Sequence, residues 1–255
     1  MGGFSRFSPG INFAFHDHRT HVTPRKERAA GLAFLPVFAT MGFYLLPSNW
    51  QSQLTVQFAP QLFAYLALGL WAIHNIDRLP RLGLASKNIR TGLGWGTMTG
   101  ISLGCMNTLI ILFVIPTWGG NIDFLLNTPH ARFPPWIMVP WFILIIAMAV
   151  ELNFRGFLLG RLLTIFAGAP NNPNTFQNGS IRTRAALFLP LGISALTFSF
   201  DPFMVATFRD LHWIAVWDGL IWGWMRIRFN NLYAVIMAHA IEVIILYLTI
   251  RATLS

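Results

Sequence analysis

Glu151 and Arg155 stand four residues apart in Val150-Glu151-Leu152-Asn153-Phe154-Arg155-Gly156-Phe157, at the end of a long apolar run. Residues four apart share one face of a helix, so this carboxylate and guanidinium can pair. A charge at the centre of a bilayer costs at least ~2.5–3.5 kcal/mol on insertion scales, so such residues are usually paired and often functional. His239 and Glu242, three apart in Ala238-His239-Ala240-Ile241-Glu242, share a face in the same way. Carboxylate and imidazole around one water is the combination of general acid–base chemistry. With Asp201 added, the mixed set Glu151, Asp201, His239 and Glu242 could bind zinc or a similar ion. The same residues have a structural use as buried helix clasps, and Asn107 reads as a polar contact between helices.

The elements that must position these groups are membrane helices. The chain has 255 residues, 55% hydrophobic and only 11% charged, where soluble domains run near ~25% charged. Seven apolar stretches of spanning character are predicted, near 30–46, 54–73, 93–115, 135–166, 185–200, 211–226 and 232–250. The fourth exceeds one simple crossing and is expected to continue as a tilted or broken helix beyond Glu151. The expected architecture is all-α and polytopic, organised as a polar basic arm over 1–29, N-terminal transmembrane helices over 30–134 and a membrane core over 135–250.

The net charge of +9 would suggest nucleic acid in a soluble protein, but here the basic residues fall in short loops between apolar runs. No nucleic-acid partner is expected; anionic lipid is the plainer counterpart. With the N-terminus cytoplasmic, the alternation places fourteen basic residues inside and three outside, with Arg155 within a span. That asymmetry predicts a bacterial inner membrane or its equivalent, with the arm on the cytoplasmic side. The ten tryptophans lie near predicted span ends and read as an interfacial belt. Cys105 is the single cysteine, so no internal disulfide is possible. No cleavable leader is expected, since the first apolar run lacks a small-residue cleavage site.

Three blocks resemble the CAAX-protease and bacteriocin-processing (CPBP) family of intramembrane proteases. They are Glu151-x-x-x-Arg155-Gly156-Phe157; Ile193 to Pro202, similar to a block ending in Phe-x-x-x-His; and Asp218-Gly219-Leu220-Ile221-Trp222-Gly223, followed by Ala238-His239 to Val243. The resemblance covers roughly 135–248, under half of the chain. It implies a CPBP-like helical core in which a glutamate activates water for attack on a peptide bond. Histidines and an amide or acid then position that water or a metal and steady the oxyanion. Carried over, the catalytic set is Glu151, Arg155 and His239. The family's first glutamate falls on Val150, its second-block histidine on Pro202 and its last polar residue on Val243. Gly156, Gly219 and Gly223 remain as points of close helix contact.

Two functions follow. In the preferred one the fold survives without proteolysis, and the chain is a structural or assembly subunit of a larger membrane complex, with respiratory and photosynthetic assemblies as plausible homes. The alternative is an active endopeptidase, CAAX-processing-like, whose site is rebuilt from Glu151, His239, Asp201 and Glu242. Rebuilding demands several coordinated changes, and Pro202 would break its helix locally. The arm, with little core of its own, is expected to contact other membrane subunits. Its His16, Asp17, His18 and His21 form a metal-capable patch without a specific spacing. Tetrapyrrole contact through His74, His212 or His239 is a further use of imidazole that their spacing does not select.

Overall fold

A computed structural model of the protein describes residues 27–128, 133–168 and 181–254. Most of the arm, with its histidine patch and its expected partner contacts, lies outside the described residues. Among the described residues every regular element is helical. The order is α1 (Phe34–Phe43), α2 (Ala59–His74), α3 (Arg78–Leu82), α4 (Ile89–Leu109), α5 (Pro135–Ala167), α6 (Ile181–Ser199), α7 (Pro202–Phe208), α8 (Ile214–Phe229) and α9 (Leu232–Leu254).

Four helices are long and apolar enough to cross a membrane: Leu54–His74, Arg78–Thr117, Pro135–Ala167 and Leu232–Thr253. A fifth results if Ala186–Ser199 and Pro202–Phe208, bent by 55° at the Phe200–Asp201 break, count as one span. The expected seven are therefore not all present as full crossings. The run near 30–46 yields only the short apolar helix Ala30–Phe43. The run near 211–226 becomes α8, whose 16 residues reach about 24 Å against a hydrocarbon core of about 30 Å. Asp218, Arg226 and Arg228 keep α8 polar, and its buried Asp218, Gly219, Trp222 and Arg226 show that it lines an interior.

The breaks have local causes. Pro202 has no amide hydrogen to continue α6, and the Asp201 side chain caps α7 by accepting from the amides of Phe203 and Met204 at 3.1 and 3.3 Å. Gly83 ends α3 at φ 85°, a conformation that favours glycine, and a Cβ there would sit 2.8 Å from the Arg226 guanidinium carbon and displace it. Within α5, the stretches Met138–Ile143 and Leu152–Leu159 are π-helical. Wide turns of this kind recur at functional sites, and the second one starts directly after Glu151.

The closest helix pairing is α4 against α9. Gly92, Gly96, Gly100 and Gly104 form a stripe with a period of four on α4, and added Cβ atoms would collide in turn with Asn231, Ala234, Ala238 and Ile245. Ascending positions meet ascending positions, so the two helices run parallel. At Gly96 and Gly100 the obstacles are the backbone oxygens of Ala234 and Ala238, at 2.5 and 2.6 Å. Only glycine permits this approach, and its result is to bring His239 and Glu242 of α9 into the interior. Gly219 and Gly223 of α8 similarly meet Ala195 and Leu191 of α6 in the opposite sense, an antiparallel contact. Phe154, Leu158 and Leu162 of α5, on one helical stripe, fill the space between these pairs together with Phe198, Trp222, Val235 and Ala238.

Candidate functional site

The centre of the site is Glu151, fully buried on α5. Its Oε1 accepts from Arg155 Nη1 at 3.0 Å, one turn along the same helix, and meets His239 Nδ1 of α9 at 2.8 Å. The pairing expected from the i, i+4 spacing is therefore present, and His239 joins it. Arg155 is itself fully buried. Its guanidinium carbon lies 4.2 Å from the centre of the Phe198 ring and 5.1 Å from that of Trp222. A desolvated cation over an aromatic face gains electrostatic energy from the ring quadrupole, which offsets part of the burial cost. Trp222 also stacks on the His239 imidazole, with ring centres 4.4 Å apart and planes within 21°. Gly219 leaves the room: a Cβ there would stand 3.1 Å from Arg155 Nη2. Gly156 is tight in its own way, since a Cβ would meet Leu232 and Leu82 at 3.0 and 3.3 Å.

A second group adjoins the first along α9. Asn107 of α4 is buried and donates from Nδ2 to both oxygens of Asp218, at 3.1 and 3.2 Å, and to Glu242 Oε1 at 2.6 Å. Its Oδ1 accepts from Trp217 Nε1 at 3.1 Å. Asp218 and Glu242 are thus held side by side through one shared amide donor. Asn107 is thus the polar helix contact expected of it, and joins α4, α8 and α9. Glu242, a candidate for the rebuilt set, belongs to this trio, whereas Glu151 Oε1 is occupied by Arg155 and His239.

Asp201 stands apart. Its partners are Gln61 Nε2 of α2, at 2.9 Å, and the first amides of α7; it serves as a helix cap and an α2–α7 tie. The family positions replaced in this sequence are filled by packing. Val150 lies against the main apolar core, Pro202 opens α7, and Val243 packs with Met138, Ile143 and Tyr247. The donor set does not fit a metal centre. Among the described residues no three His, Cys, Asp or Glu side chains are grouped to hold an ion, and the best-placed carboxylate oxygen already faces a guanidinium and an imidazole. Of the histidines weighed for tetrapyrroles, His74 Nδ1 meets the Leu70 carbonyl at 2.7 Å and His212 Nδ1 the Arg209 carbonyl at 2.6 Å.

A third polar cluster lies further along α5 and α8. Glu27, in the last part of the arm, accepts from Trp71 Nε1 at 2.7 Å, Thr164 Oγ1 at 3.2 Å and Arg81 Nη1 at 3.3 Å, and it is ion-paired with Arg161. Arg161 and Arg226 both donate to the Arg81 carbonyl, at 3.4 and 3.2 Å. Nothing in the composition marks Glu27 apart from a solvated arm residue. The glycine stripe of α4, by contrast, was readable from its spacing alone. The tryptophan belt is only partly realised: Trp118, Trp136 and Trp141 are well exposed, but Trp71 and Trp222 are interior and belong to the two clusters.

Residues 132–245 match the family model described as type II CAAX prenyl endopeptidase Rce1-like. This segment, under half of the chain, contains Glu151, Arg155, Asp218, His239 and Glu242, and it is the region over which the motifs resemble the CPBP family. Neither the curated proteins nor the solved structures yield a match to the chain.

Proposed function

We propose that the protein is a non-proteolytic relative of the CPBP endopeptidases, a structural or assembly subunit of a larger complex, with its N-terminus on the cytoplasmic side of a bacterial inner membrane or equivalent. The observation that supports this reading is how Glu151 is used. One of its oxygens takes both Arg155 and His239, at 3.0 and 2.8 Å, while Val150, Pro202 and Val243 stand where the family places groups that hold the water. A general base needs its proton-accepting oxygen within reach of a water and a scissile carbonyl. A carboxylate neutralised by a cation, one turn away on its own helix and caged by two aromatic rings, instead locks α5 against α6, α8 and α9.

A second reading keeps catalysis. Glu151 Oε2 is buried without a hydrogen-bond partner, and the Glu151–His239 contact is the carboxylate–imidazole pairing that water activation uses. In that reading Glu151 is the base, His239 the acid or oxyanion donor, and the substrate a prenylated C-terminal peptide of the type the matched family is named for.

One experiment separates them. Purified protein and its Glu151→Gln variant are incubated with prenylated tetrapeptide substrates, and products are followed by mass spectrometry. The subunit reading expects no cleavage by either, together with co-purification of the native protein at fixed stoichiometry with other membrane chains. Cleavage by wild type that Glu151→Gln abolishes, with the variant still folded, establishes the endopeptidase.

A further inference from the structure

At the corner between α2 and α3 lies a cavity of about 630 Å³, lined by Glu27, Arg28, His74, Asn75, Asp77 and Arg81. That is within the usual range of small-ligand sites. One wall is fixed by the backbone. The Arg28 amide donates to Asn75 Oδ1 at 3.1 Å, and Asn75 Nδ2 returns bonds to the carbonyls of Arg28 and Trp71 at 3.0 and 2.8 Å. Glu27 is committed to its four donors, and Arg81 is engaged with Glu27. The Arg28 guanidinium and the Asp77 carboxylate, however, have no hydrogen-bond or ion-pair partner among the described residues. Among the described residues, the cavity therefore offers Arg28 as an uncommitted cation and Asp77 as an uncommitted anion.

Its surroundings are apolar. Ile73 and Ile76 are each 77% exposed and Leu79 is 55% exposed, interleaved with the polar lining residues. α2 belongs to a candidate span that ends at His74, so the cavity sits where a bilayer changes from hydrocarbon to headgroup. A soluble anion would have no use for the isoleucines, whereas an amphiphile uses both parts. Matched charges of opposite sign fit a zwitterion better than a simple anion.

We infer that this corner binds an aminophospholipid, with the headgroup phosphate on Arg28, the primary ammonium on Asp77 and the acyl chains along Ile73, Ile76 and Leu79. Charge-assisted bonds of this type are the strong ones, and Arg presents paired donors to phosphate oxygens. The inference is independent of whether Glu151 is catalytic.

The test is native mass spectrometry of the full-length protein in detergent, with phosphatidylethanolamine, phosphatidylcholine and phosphatidylglycerol of equal chain length supplied together, and inorganic phosphate added as a competitor. Phosphatidylethanolamine is expected to be retained preferentially. Arg28→Gln should lower its retention about tenfold. Asp77→Asn should abolish the preference for it over phosphatidylglycerol. Both side chains are exposed and without a partner among the described residues, so neither variant should change the melting temperature measured without added lipid. Equal retention of the three lipids by wild type, unchanged retention in Arg28→Gln, or displacement by millimolar inorganic phosphate would each overturn the assignment.

Discussion

The membrane core and the α2–α3 end of the molecule hold buried ionic clusters of opposite surplus, strung along the same two helices. α5 carries Glu151 and Arg155 and then Arg161; α8 carries Asp218 and then Arg226. In the core, Glu151 pairs with the Arg155 guanidinium and with His239, and the adjoining carboxyls of Asp218 and Glu242 share the Asn107 amide. At the other end, the guanidiniums of Arg81 and Arg161 pair with the carboxylate of Glu27, and Arg226 joins them through the Arg81 carbonyl. Both clusters use the same device for their most buried arginine, which lies over an aromatic face: Arg155 over Phe198, Arg161 over Trp71. They differ in how the surplus is met. The core meets excess acid with a neutral donor, Asn107, itself held by Trp217. The end meets excess base with neutral acceptors, the Arg81 carbonyl and Asn230, and it adjoins a charged cavity through which outside groups can contribute. Removing the minority charge should therefore be worse in the core, where nothing from outside replaces it.

The largest expected effect follows from that difference. Arg155→Met should destabilise the protein by about 3–5 kcal/mol, the usual consequence of leaving one member of a buried pair uncompensated. Thermal melting in detergent checks it. The double variant Glu151→Gln/Arg155→Met should recover at least ~1 kcal/mol of the loss, because the two residues share one interaction. If the double variant were no more stable than the single one, Glu151 would not be the group that needs Arg155.

At the opposite end, Glu27→Gln removes the carboxylate that pairs with Arg81 and Arg161 but keeps the shape. A loss of about 1.5–3 kcal/mol is expected, the range for hydrogen bonds to charged groups. Because this cluster is closer to solvent, its loss should shrink as salt rises, on a Debye length of about 8–10 Å. The Arg155→Met loss should not. Equal salt dependence of the two variants would erase the distinction between a closed core and an accessible end.

How much of this the sequence disclosed depends on the range of each interaction. Glu151 with Arg155 is legible because helical geometry alone brings i and i+4 together within an apolar run. Gly219 and Gly223 are legible for the same reason, and the four glycines of α4 carried a signal just as periodic. His239 is legible from its block, but its partner is not, since α9 reaches α5 only through the close contact that the α4 stripe permits. Asn107, Asp218 and Glu242 sit 111 and 135 positions apart in the chain, and no local pattern announces their meeting. Glu27 is the hardest case, because its hub role comes wholly from Trp71, Arg81, Arg161 and Thr164, on three other helices. The count of seven spans is not confirmed at α1 and α8, where mean hydropathy describes composition, while crossing a bilayer depends on uninterrupted length.

The smallest effect tests whether the neutral donors really carry the core's acid surplus. Trp217 donates to Asn107 Oδ1 at 3.1 Å, while Asn107 Nδ2 serves Asp218 and Glu242. Trp217→Phe keeps an aromatic ring and removes one N–H, so a loss of about 0.5–1.5 kcal/mol is expected. The lost bond fixes which way the Asn107 amide faces, and an amide free to turn can point its oxygen at the carboxyls in place of its nitrogen. Trp217→Phe should therefore weaken the coupling between Asn107 and Asp218. In a double-mutant cycle, Asn107→Leu with Asp218→Asn should interact less in the Trp217→Phe background than in wild type. An unchanged coupling energy would show that the carboxyls orient the amide without help from Trp217.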